Sequence, residues 1–222
     1  MAQCAMLFDL HVHTAISTCS RLTVAEILGN ARARGLDGVC LTDHDTMAVR
    51  EVVREGLQAD GLCVIVGMEY STGGGDFLLF GAFEDLAPGL CAEDLLTLVE
   101  ARRGAAVMAH PCRASRPGRE DLVAAGLTRL VELMNGRNTP EENARLAAWT
   151  RAYPLVGCGG SDAHSLAELG RVGTRLLTPV SSRTELVWAL RRGLCRPERL
   201  QESERPQSGA CADPDCPPVP AG

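Results

Sequence analysis

Phe8-Asp9-Leu10-His11-Val12-His13 lies near the start of a 222-residue chain and carries two characters at once. Side chains of an extended strand alternate between its faces. Phe8, Leu10 and Val12 therefore share an apolar face, and Asp9, His11 and His13 share the other. Such a strand borders a site on one side and a core on the other. Two imidazoles two residues apart present their nitrogens together, a spacing that suits one metal ion.

The same signature recurs. Thr42-Asp43-His44-Asp45 follows the apolar run Gly38-Val39-Cys40-Leu41, and His110-Pro111 follows Ala105-Ala106-Val107-Met108-Ala109. Ser161-Asp162-Ala163-His164 repeats the i, i+2 spacing after a further apolar run, and the four segments hold all five histidines of the chain. Dense carboxylate and imidazole at strand ends is costly to desolvate unless a cation compensates. Glu69 ends Val64-Ile65-Val66-Gly67-Met68, and its two oxygens can serve two ions. Asp76 opens the next run after Gly73-Gly74-Gly75 and is a ligand or a turn cap. Asp45 is likewise a ligand or the cap of the following helix. The donor count exceeds the need of one ion, so a multinuclear site and hydrolytic chemistry are expected.

Strand-like runs alternate with helical patterns along the chain. Strands are expected over 7–13, 38–43, 62–68, 77–83, 105–109, 129–134, 155–158 and 174–178. Helices are expected from Thr23, with Glu26 completing a capping box, to Gly35, and from Thr139, with Pro140 and Glu142. Others are expected from Ser182 to near Gly193 and over 46–56, 92–103 and 120–125. This alternation implies an α/β fold with a parallel sheet covered by helices, and enough strands to close a barrel. Chemistry in such barrels gathers at the C-terminal strand ends, where all the histidines fall. One domain is expected over 1–195, followed by a disordered tail over 196–222 that includes Cys211 and Cys216.

Composition narrows the function. Hydrophobic content of 45% with 4% aromatics suits a globular protein with an aliphatic core. A net charge of −6 argues against general affinity for polyanions. The first residues lack a signal-peptide pattern, and no apolar run reaches the ~18 residues of a membrane span. Ten cysteines form no CxxC pair, which suits a reducing cytoplasm without structural disulfides. Cys19 and Cys112 follow ligand motifs and read as small residues near the site.

HxH at 11–13, TDHD at 42–45, AHP at 109–111 and SDAH at 161–164, in this order, resemble the motifs of the PHP (polymerase and histidinol phosphatase) superfamily. The resemblance spans roughly residues 7–178. It implies a distorted (β/α)7 TIM-like barrel, the PHP fold, that hydrolyses phosphoesters with two to three divalent ions (Mn, Zn, Fe or Mg). By position it puts His11, His13, Glu69 and Asp162 on one ion, with Glu69 bridging to a second held also by His110. Asp76 stands near where many relatives carry a further histidine. His44 and His164 fall to a third ion, but Ser17-Thr18-Cys19-Ser20 replaces the carboxylate usual there. A dinuclear core with a weak third position is the expectation.

Paired ions lower the pKa of a shared water, and the resulting hydroxide attacks phosphorus while the ions clamp the phosphoryl oxygens. Arg113, Arg21, Arg116 and Arg137 are candidates for holding phosphate, since the guanidinium fork matches its oxygens. His164 or Asp162 is the candidate leaving-group acid. Similar small proteins act as nucleotide phosphatases and 5'-to-3' exonucleases. The expected substrate is a phosphorylated nucleotide or a short oligonucleotide end, with no membrane and no obligate protein partner. A histidinol-phosphate-type phosphatase and a non-catalytic, metal-stabilised accessory module are the alternatives; retention of every histidine favours an enzyme.

Overall fold

The computed structural model describes residues 5–200. In chain order its strands are β1 (Met6–Val12), β2 (Gly38–Leu41), β3 (Gly56–Leu57), β4 (Cys63–Val66), β5 (Met68–Thr72) and β6 (Gly75–Phe80), followed by β7 (Ala105–Met108), β8 (Leu130–Asn135), β9 (Val156–Gly160), β10 (Val172–Leu176) and β11 (Cys195–Arg199). The helices are α1 (Val24–Ala31), α2 (Ala92–Ala101), α3 (Glu120–Ala124), α4 (Pro140–Ala152) and α5 (Arg183–Arg191).

Local chemistry explains the helix ends. Thr23 and Thr139 each accept from the backbone N–H three residues on, and Glu26 and Glu142 return the bond, so both capping boxes form. Gly35, at φ 79°, ends the turn after α1 in the left-handed conformation that favours glycine. The helix expected over 46–56 shrinks to one 3-10 turn, Ala48–Glu51. Glu55 instead turns inward, accepts from Val66 N at 2.7 Å and pairs with Arg183.

The strands form two mixed sheets rather than the single parallel ring expected. One has the order β11-β10-β1-β2-β4-β3 and the other β5-β6-β7-β8-β9. Pairs β1–β2, β2–β4, β7–β8 and β8–β9 are parallel, while β10 and β6 run antiparallel to both of their neighbours. The reversal at β6 follows from the tight Gly73-Gly74 connection, which leaves no room for a crossover helix. β4 and β5 are nearly one strand that passes from the first sheet to the second at Gly67. A Cβ there would sit 2.6 Å from Leu79 O, so only glycine allows the close approach.

Single bridges, Val12 with Ala163 and His44 with Glu69, join the two sheets at their seams. The hydrogen-bonded ladders thus stop short of a closed barrel where the ligand motifs lie. Phe8, Leu10, Ile65, Phe80, Val107 and Leu190 of α5 share one buried cluster, and helices α1 to α4 pack their apolar faces into a second. The C-terminal boundary also moves. Residues 195–199, mostly assigned to the tail, form β11 and pair along β10, because Cys195 is buried beside Cys158. Cys211 and Cys216 lie outside the described residues. Among those described, no helix is long and apolar enough to cross a membrane.

Candidate metal centre

Strand alternation does place the first two imidazoles together. His11 Nε2 and His13 Nε2 are 3.0 Å apart, and both rings are fully buried. Glu69, on β5 at the seam, faces them. Its Oε2 lies 3.3 Å from His11 Nε2, 3.2 Å from His13 Nε2 and 3.0 Å from His44 Nδ1. Its Oε1 lies 2.8 Å from His110 Nε2. Asp162 Oδ1 closes the other side, 3.6 Å from His11 Nε2 and 3.4 Å from His13 Nε2. Donor atoms of His11, His13 and Asp162 form one group, those of His11, Glu69 and His110 a second, and those of His13, His44 and His164 a third, each within 4.8 Å.

The third group answers the missing carboxylate. Ser17 Oγ instead donates to Asp43 at 2.6 Å, and Ser20 Oγ donates to the carbonyls of His13 and His164. The segment pins the histidine backbones and leaves three imidazoles as the donor set. Cys19 is exposed and Cys112 half-buried; burial pushes both thiols up, so both rest as neutral side chains. Asp45 caps no helix; its Oδ1 accepts from Ser71 N at 2.8 Å.

Electrostatics favour a cation here. Burial alone would depress the His11 imidazole, but Asp162, Glu69 and Glu132 hold it well above the usual histidine range. Burial alone would raise Glu69, but the His11 cation and bonds from His11, His110 and His13 hold it well below the usual carboxylate range. Asp162 is likewise depressed against burial, by His11, His13 and Arg113. The cage charges its own imidazole, and a divalent ion would take the place of that proton. One atom is still unmet: His110 Nδ1 is buried without a hydrogen-bond partner. The convergent imidazole and carboxylate donors fit divalent metal ions.

His164 has its pKa lowered by burial and by His13, so it stands as a neutral imidazole. With Asp162 depressed as well, both candidate proton donors rest deprotonated near neutral pH, the state that suits ligation. Asp76 Oδ2 lies 3.9 Å from His110 Nε2 but only 2.8 Å from Arg116 Nη1. Arg113 is spoken for: Nη2 donates to Asp162 Oδ2 at 2.6 Å and Asn135 Oδ1 at 2.8 Å, and Nε donates to Asn138 at 3.0 Å. Arg137 Nη1 lies 3.0 Å from His164 Nδ1. The Arg21 side chain is exposed at the rim, where its backbone N–H reaches His164 O.

The backbone is strained where the ligands sit. Non-glycine residues with positive φ include Asp45 (53°), His110 (30°) and Asp162 (54°). Such conformations cost about 1–3 kcal/mol each and persist where the surroundings over-determine them.

The comparisons with known proteins follow this geometry. The chain matches the PHP domain over residues 9–135 and the PHP-associated region over 140–195. It belongs to the PHP domain family. An uncharacterized protein of Methanocaldococcus jannaschii is 28% identical over 116 residues, 48% of this chain and 68% of that one. Among solved structures, PsfC from Pseudomonas syringae superimposes with a TM-score of 0.71 at 19% identity, covering 90% of this chain and 94% of that one. A two-domain Bacteroides vulgatus protein containing a predicted PHP-like metal-dependent phosphoesterase gives 0.67 at 18%, covering 90% of this chain and 66% of that one. The lesion-specific endonuclease PfuEndoQ of Pyrococcus furiosus gives 0.64 at 17%, covering 87% and 58%. At these identities the structures speak for the PHP fold alone.

Two residues that support the site were given no role from the sequence: Asp9, placed only on the histidine side of its strand, and Glu132. Asp9 Oδ1 accepts from His11 N and Ser161 N, and Oδ2 accepts from Gly170 N at 3.1 Å, tying β1 to the loop that carries Asp162. Glu132 is buried in the middle of β8. Its signal was a lone charge inside the apolar run Leu130-Val131-Glu132-Leu133-Met134.

Proposed function

We propose that this PHP protein is a metal-dependent phosphoesterase that hydrolyses phosphate esters of nucleotides or of short oligonucleotide ends. The carrying observation is Glu69, whose two oxygens face different donor groups: Oε1 toward His110 and Oε2 toward His11, His13 and His44. A carboxylate so placed can join two ions. We further propose that Asp162, His11 and His13 complete one position and His110 the other, with Asp76 beside it. His13, His44 and His164 offer a weaker third position, since imidazole ligands bring no negative charge to offset an ion's own.

Bound ions of this kind lower the pKa of water and neutralise phosphoryl oxygens. The chain's own residues supply the rest. Burial of His11, His13 and Glu69 excludes bulk water and strengthens every charge interaction inside. Arg21 and Arg137 at the rim, and Arg116 through its half-exposed guanidinium, are placed to meet phosphate oxygens. Arg113 holds Asp162 in place, and a bound phosphate would have to draw it away. The acidic chain favours a small anion met by local cations over a long duplex. The endonuclease activity of a similarly folded protein agrees with a nucleic-acid-derived ester.

The test is phosphate release from p-nitrophenyl phosphate, bisphosphorylated nucleotides, histidinol phosphate and 5'-phosphorylated oligonucleotides, with added Mn, Zn, Fe or Mg. Turnover is expected on the nucleotide or oligonucleotide members of the panel. Preference for histidinol phosphate would move the substrate class, and no release with any metal would remove the enzyme reading.

A further inference from the structure

Glu132 is a buried carboxylate at the centre whose two oxygens are both bonded to groups of the ligand-bearing segments. Its Oε1 lies 3.1 Å from His11 Nδ1. Its Oε2 accepts from His110 N at 2.8 Å and from Asn135 Nδ2 at 2.8 Å. Three donors converge on one carboxylate that is 1% exposed. We propose that Glu132 is a positioning residue that sets ligands of both principal ions at once; this rests on the metal-centre reading above.

Each of the two contacts does different work. At His11 the carboxylate can only accept, so Nδ1 must carry the hydrogen. The Nε2 lone pair is then left facing Glu69, Asp162 and His13, where an ion would sit. An acceptor behind the ring also raises its basicity as a ligand. At His110 the contact is through the main chain. That residue's φ of 30° is strained, and a carboxylate on its N–H holds the turn that aims the ring at Glu69. Asn135 extends the same control. Its Nδ2 donates to Glu132, while its Oδ1 accepts from Arg113, which in turn holds Asp162.

Only a carboxylate satisfies all three donors. A glutamine has one carbonyl oxygen, and its amide must face one of the two sides. Facing its oxygen toward His110 N and Asn135 keeps two bonds and puts N–H groups against His11 Nδ1. His11 would then move its hydrogen to Nε2 and lose the lone pair aimed at the first position. Glu132→Gln therefore separates the two ions, weakening the first and sparing the second.

Metal-free wild type and Glu132→Gln are titrated with Mn(II), and their melting temperatures are read without metal. Expected is a fall of about ten- to a hundredfold in affinity at the first position, little change at the second, and a metal-free melting temperature near that of wild type. Equal affinities in wild type and Glu132→Gln would overturn the proposal. Should the variant not fold, ring-nitrogen NMR of zinc-loaded wild type decides: His11 must show hydrogen on Nδ1, and hydrogen on Nε2 overturns the role. Absence of Mn(II) binding by wild type would instead defeat the metal-centre reading, and this proposal with it.

Discussion

Glu69→Gln is expected to lower kcat/KM by about a thousandfold, the loss that goes with removing several kcal/mol of charge stabilisation at a metal site. Glutamine has nearly the same volume, so a residue 1% exposed is replaced without a cavity. What changes is the donor set. The carboxylate offers Oε1 to His110 at 2.8 Å and Oε2 to His11, His13 and His44 at 3.0–3.3 Å. The amide keeps one oxygen and turns N–H groups toward the other position, so joining two ions through this side chain is lost. Steady-state kinetics with the most active metal, alongside the melting temperature, are the readout. A variant that folds and turns over at the wild-type rate would remove Glu69 from the centre.

Gly160→Ala is expected to cost about 3 kcal/mol of stability and to disturb the centre with it, since overpacking a closely built interior forces backbone shifts. A Cβ at residue 160 would lie 2.4 Å from His11 Cβ, 2.8 Å from Glu132 Oε1 and 3.0 Å from His11 N. The two His11 atoms belong to β1, which cannot swing aside, and the Glu132 carboxylate is held by its bonds to His11, His110 N and Asn135. Gly29→Ala is the matched control. Gly29 lies in α1 with nothing within 4 Å of its built Cβ, and alanine there should stabilise by up to about 1 kcal/mol. Denaturant midpoints of the two variants give the comparison; equal midpoints would mean that β9 does not pack on His11 as described.

Much of the site was legible because it depends on local spacing. His11 and His13 alternate onto one side of a strand whatever the rest of the chain does. Asp162 and His164 are drawn to the same place by their position after β9. Each of the eight expected strands has a counterpart, since Val- and Leu-rich runs between turn signals fix strand identity. Direction and partner are not local. β5 was missed because the expected strand ended at Met68, where β5 begins; only Gly67 and the approach of Leu79 reveal that the chain changes sheets there and runs on as a second strand. Mixed pairing follows from that change and from the return of β10 along β1 and of β11 along β10. Glu132 was missed for a related reason: its three donors come from β1, the turn after β7 and its own strand, and only the folded sheet assembles them. The arginines were legible as basic residues near the motifs. Their attachment to Asp162, Asp76 and His164 was not, since ion-pair choice depends on distances that spacing alone does not carry.

The most direct test of the metal centre is the divalent-ion content of the full chain purified without chelators, measured together with titration of the metal-free protein. Two tightly held ions per chain, at least the first of them lost in a His11→Ala, His13→Ala double variant that still folds, is the result this structure predicts. A wild-type chain that binds no divalent ion at saturating metal, or a double variant that keeps both, would contradict it.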